Sequence, residues 1–211
     1  MRMLYCILAF LILPSSGYSR FGFGPDKMPK SNAEIFREGV VELVHSLAKQ
    51  SGITQGGSIV VSIVHPDENS LVKQAVTSSL QQDGYTVYDD SAKATAINYN
   101  LNVNDAELMV SYGETYHETI LGESRTSRTL SVNLPYTLTE KQTGKVIRSE
   151  TMNFLTTDTV STDMIPLLEH QQPAGTKSVL PARSFLDRLV EPLVIIAATG
   201  VAIYLFFHVR S

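Results

Sequence analysis

Five histidines and 21 carboxylates could move a proton or hold a metal in this 211-residue chain. Their spacing gathers them nowhere. His45, His65, His117, His170 and His208 are scattered, and no two stand at the separation that puts metal ligands on one face of a helix. Glu114, His117 and Glu118 form the one local cluster of histidine with carboxylate, and their polar surroundings read as a solvated turn. Asp89-Asp90, Asp105 and Glu107 follow expected strand ends, where carboxylates serve turns. No nucleophile elbow, His-Glu-x-x-His helix, Walker loop or EF-hand loop occurs. The single cysteine, Cys6, lies in the first apolar run, so the rest of the chain has no thiol for a disulfide, a metal or a covalent intermediate. These residues lead to an expectation of no catalytic, cofactor-binding or metal-binding residues. An active site would need carboxylates from distant segments to meet in a cleft. Asn98, Asn100 and Asn102 form a different pattern, an uncharged stripe that alternates with apolar residues. It reads either as the wet face of a sheet or as a hydrogen-bonding surface for a partner chain.

The two ends of the chain set its expected address. Arg2 precedes the apolar run LYCILAFLIL (residues 4–13), and Pro14-Ser15-Ser16-Gly17 supplies the small residues of a cleavage site. Residues 1–17 therefore read as a signal peptide, with an uncleaved anchor as the alternative. Residues 18–30 (YSRFGFGPDKMPK) read as an extended arm. Residues 192–207 (PLVIIAATGVAIYLFF) carry no charge and cover about 24 Å at about 1.5 Å per residue. A membrane helix over 192–209 is expected, with a buried core helix as the alternative. Tyr204, Phe206 and Phe207 suit an interfacial belt, and Ala197 and Gly200 offer a small-residue face for helix contact. Export followed by this helix places the domain outside the cytoplasm and the tail, with Arg210, inside. The formal charge of −4 and the absence of a basic run leave no footprint for nucleic acid.

Between the ends, residues 31–170 read as one α+β domain. Ser31 and Glu34 fit a capping box ahead of a helix that Gly52 closes, with Ile35, Phe36, Val40, Leu43, Val44 and Leu47 inward. SIVVSIVH (58–65), a helix over 69–82 and Tyr85 to Tyr88 make a strand-helix-strand unit with parallel strands. The period then falls to two, in strands around residues 97–103, 108–112, 130–139 and 146–155. Lys141-Gln142-Thr143-Gly144 is a hairpin turn, and Pro135 predicts an edge strand or a bulge. Residues 112–128 read as a polar, mobile hairpin end, 156–163 as a loop, 164–170 as a short helix and 171–191 as a linker. The expected architecture is two helices packed on a mixed, mostly antiparallel sheet, plus one C-terminal transmembrane helix.

The order of elements, Gly84-Tyr85-Thr86-Val87 after the second helix, and Lys141-Gln142-Thr143-Gly144-Lys145-Val146-Ile147 after an amphipathic strand resemble a small α+β domain of bacterial envelope-assembly accessory proteins. That group includes the CsgG and FlgO groups, the LpoB-type synthase activators and the TrbH component of conjugative transfer systems. The resemblance covers about residues 31–155. It implies a non-enzymatic periplasmic subunit of a secretion, conjugation or surface-assembly machine, with protein subunits as partners; the asparagine stripe adds another copy of the chain as a candidate partner. A regulator that activates a cell-wall enzyme is the alternative, and an envelope hydrolase the third. Those relatives typically carry a lipid-bearing cysteine just after the leader. This chain has none there, which moves the anchor to the C-terminal helix and the address to the inner membrane.

Overall fold

The computed structural model describes residues 28–64, 70–89, 97–117, 122–169, 174–179 and 185–209, the last without side-chain environments at 185–191 and 209. The expected signal peptide, Cys6, His65, Asp90, Glu118, His170 and nearly all of the arm lie outside the described residues.

Helix α1 (Asn32–Ser51) starts where the capping box requires. The Ser31 hydroxyl accepts from the Glu34 amide at 3.3 Å, and the Glu34 carboxylate accepts from the Ser31 amide at 2.8 Å. Gly52 closes it in the left-handed conformation at φ 62°, which glycine adopts without a Cβ clash. Strand β1 (Ser58–Ile63), helix α2 (Ser70–Gln82) and strand β2 (Thr86–Tyr88) form the strand-helix-strand unit, with the strands parallel. Strands β3 (Tyr99–Val103), β4 (Glu107–His117), β5 (Ser124–Glu140) and β6 (Val146–Ser161) complete a six-stranded sheet. The order is β2-β1-β3-β5-β4, with β6 on the other side of β5. The sheet is mixed: β1 pairs with both β2 and β3 in parallel, and all pairings of β5 are antiparallel. After a 3-10 turn come the one-turn helix α3 (Ile165–Leu168), a second 3-10 turn at Ala174–Thr176, and helix α4 (Phe185–Val209).

The core lies on one face. Phe36, Val40 and Val44 of α1 and Val72, Val76 and Leu80 of α2 bury against Ile59, Leu101, Leu130, Leu134 and Leu138. Along β5, alternate residues from Thr126 to Leu138 are buried, the period-two signature of a sheet covered on one side.

Four expectations change. The span 112–128 is the end of the β4–β5 hairpin, but most of it is paired strand rather than loop: β4 runs to His117, β5 begins at Ser124, and their ladder reaches His117–Ser124. Thr156 to Ser161 continue β6, because β-branched threonines suit a strand and Val160 buries its side chain. Pro135 sits in β5, an interior strand. Its missing donor causes no loss, because β3 and β4 line the same edge of β5 one after the other and their break at residues 104–106 faces Pro135. The Pro135 carbonyl there accepts from the Asn104 amide at 3.0 Å. The C-terminal stretch is a helix of 25 residues, yet among the described residues no helix is long and apolar enough to cross a membrane. Asp187, Arg188 and Glu191 charge its first turns and leave Pro192 to His208 as the uncharged part.

Candidate interaction surface

Five strands present the side opposite the helices. Ser62, Glu107, Met109, Ser111, Ser149, Thr151, Asn153, Leu155 and Thr157 are exposed there, and Ser131 and Asn133 half-exposed between them. The chemistry is nearly uniform. Hydroxyls and amides satisfy one another across strands: Thr129 and Thr157 hydroxyls at 3.1 Å, Thr137 and Ser149 hydroxyls at 3.0 Å, and the Asn133 amide donating to Glu107 at 3.2 Å. One apolar row interrupts it. The register aligns Met109 with Ser131 and Ser131 with Leu155, so two large side chains, 55% and 70% exposed, flank a serine. Such a face can form many weak hydrogen bonds around a small apolar anchor.

The asparagine stripe falls at one side of this face. Asn98 precedes β3, and its side-chain oxygen accepts from both the Ser58 amide and hydroxyl at 2.9 Å, lashing β3 to β1. Asn100 and Asn102 are half-buried between β1 and β5, and the Asn100 side-chain oxygen is buried with no hydrogen-bond partner. Ala197 and Gly200 are exposed on α4, and a Cβ at Gly200 would meet nothing within 4 Å.

The residues singled out for chemistry stay apart. His45 contacts Asp83 at 2.7 Å, joining α1 to the end of α2. His117 Nδ1 lies 3.0 Å from the Gly122 carbonyl at the tip of β4, and Asp89 pairs with Lys73 at 2.7 Å. Among the described residues, no three histidine, cysteine or carboxylate side chains gather where they could hold a metal. A shallow groove of about 600 Å³ runs along α1 past Arg37, Val41 and His45.

A buried polar knot supports the face from behind, and sequence reasoning missed it. Arg128 of β5 is fully buried. Its guanidinium donates to both Asp158 carboxylate oxygens at 2.9 and 2.5 Å, to the Asn32 side-chain oxygen at 2.7 Å and to the Lys30 carbonyl at 3.0 Å. The Asn32 amide donates in turn to the Tyr112 hydroxyl at 3.2 Å and the Thr176 carbonyl at 2.7 Å. Burial raises the Tyr112 phenol pKa, and burial with a bond to Glu150 raises that of Tyr136 far more. A buried guanidinium is tolerable only when fully hydrogen-bonded, and this one joins the start of α1, strands β5 and β6 and, through Asn32, β4 and the 174–176 turn. Gly175 admits that turn: a Cβ there would overlap the Leu108 carbonyl. Residues 174–176, in the stretch expected as linker, thus pack on the domain.

No family model matches the chain, and no curated protein matches it. Solved structures with a similar fold include bacterial envelope lipoproteins at low identity. The C-terminal domain of LpoB from Salmonella enterica is 14% identical over 56% of this chain and 97% of its own, with a TM-score of 0.34. Rare lipoprotein B from Shewanella oneidensis is 13% identical over 70% and 99%, with a TM-score of 0.33. A minor lipoprotein from Acinetobacter baumannii is 11% identical over 67% and 90%, with a TM-score of 0.35. Likeness of this degree adds no weight to a functional argument.

Proposed function

We propose that the chain is a non-enzymatic accessory protein of the bacterial envelope, held at the inner membrane by α4 with its domain in the periplasm. The open sheet face carries this reading: uncharged hydroxyls and amides around Met109 and Leu155, backed by a rigid core. The leader supplies the address, and α4 supplies the attachment. From Leu193 to Phe207 the apolar side chains of α4 are exposed on all sides, which suits lipid rather than water. The uncharged part, about 25 Å long, falls short of a hydrocarbon core of roughly 30 Å. Local thinning and the aromatic residues at its C-terminal end accommodate such a mismatch. The partners are subunits of a secretion, conjugation or surface-assembly complex, and the asparagine face at Asn98, Asn100 and Asn102 extends the docking surface.

Photo-crosslinkers at Met109 and at Glu42, on the exposed side of α1, test this in intact cells. Adducts with subunits of one membrane complex from position 109 and not from 42 are expected. Adducts dominated by a single cell-wall enzyme would replace the machine with enzyme activation. Equal adducts from both positions would overturn the face.

A further inference from the structure

Strand β6 ends the sheet, and among the described residues only β5 pairs with it. Pro135 aims its carbonyl at Asn104, so odd-numbered residues of β5 bond toward β3 and β4, and even-numbered ones toward β6. Glu150, Met152 and Phe154 oppose Tyr136, Leu134 and Val132 and so spend their N–H and C=O groups on β5. Ser149, Thr151, Asn153, Leu155 and Thr157 point theirs out of the sheet. The edge has no proline, no lysine and no register shift from Arg148 to Ser161, and its three charges, Arg148, Glu150 and Asp158, all stand on the helix side of the sheet.

We propose that a second copy of this chain pairs here, β6 antiparallel to β6 about a twofold axis at Asn153. That register places every outward-pointing residue from 149 to 157 opposite another outward-pointing residue, completing a ladder. It also sets Arg148 against Asp158 of the second copy, twice over. Both side chains lie on the helix side of the sheet and are accessible, at 33% and 42% exposure, while Arg148 keeps its present contacts to Gln50 and Glu150 and Asp158 its contact to Arg128. Met152 meets Phe154 of the second copy, covering two side chains that the single domain leaves half-buried. Moving the axis one residue toward Phe154 would set Glu150 against Asp158, and moving it toward Met152 would leave both ions without a partner across the seam. Helix α1 packs on β5 and β6 alike. With strands about 4.8 Å apart, the two copies of α1 would then lie about 10 Å from one another, a normal helix-packing distance.

The proposal does not depend on the envelope reading, and its test reads pairing alone. In the full chain with Cys6→Ser, Asn153→Cys places the two sulfurs on strands whose Cα atoms are about 5.5 Å apart, within disulfide reach. Mild oxidation of the purified full chain should give on the order of tenfold more linked dimer than Ser62→Cys, which lies on β1 away from the β6 edge. Thr151→Cys alone should not link, whereas Thr151→Cys mixed with Leu155→Cys should. Arg148→Glu should lower the yield from position 153. Linking at 153 no stronger than at 62, or as strong at 151 alone, overturns the proposal.

Discussion

Arg128 ties the start of α1 to strands β5 and β6 through one buried side chain. Removing its guanidinium by Arg128→Met would leave Asp158 and the Asn32 oxygen partly buried without their donors. Asp158 is 42% exposed, so water screens the charge left behind. The loss, set mainly by the unsatisfied Asn32 oxygen, should be about 1–3 kcal/mol, which urea unfolding would show as a lower midpoint at unchanged slope. A loss under about 1 kcal/mol would mean water replaces the guanidinium. The phenols give a pH signature. Burial holds the Tyr136, Tyr112 and Tyr85 pKa values above the ordinary one, so their contribution is complete below the unfolded phenol pKa of about 10. It is lost as pH rises through the folded values. Unfolding free energy should therefore decline above about pH 10, and less steeply in Tyr136→Phe. A flat profile to pH 11 would contradict this. None of this knot was visible in the sequence. Arg128 sits in a polar run, and its partners Asp158, Asn32 and Lys30 lie 30, 96 and 98 positions away.

At the scale of elements, Gly39 sets how closely α1 approaches β6. A Cβ there would come within 2.5 Å of the Phe154 ring. Gly39→Leu should destabilise by about 1–3 kcal/mol, and Phe154→Ala in the same chain should recover part of it. Additive losses in a double-mutant cycle would show that the two do not touch. Elements specified by local signals were legible beforehand. The Ser31–Glu34 box and Gly52 mark both ends of α1, and apolar spacing located α2, because caps and helical periods depend on neighbours in sequence. Strand lengths and pairings were less so. The β3–β4 break opposite Pro135, and the run of β6 through Thr156 to Ser161, depend on what the opposite strand offers. Polar threonines read alike as loop or edge strand.

At the scale of the whole molecule, the open face was half legible: alternation announced a wet side, but the row of Met109, Ser131 and Leu155 needs the register of three strands. The account joins that face to a membrane address, which labelling from outside the cell reads most directly. With Cys6→Ser, Met109→Cys and Ser211→Cys are each treated in spheroplasts with a thiol reagent that cannot cross membranes. Position 109 should label in intact spheroplasts, and position 211 only after permeabilisation. Labelling of 109 only after lysis would put the face in the cytoplasm and contradict the account.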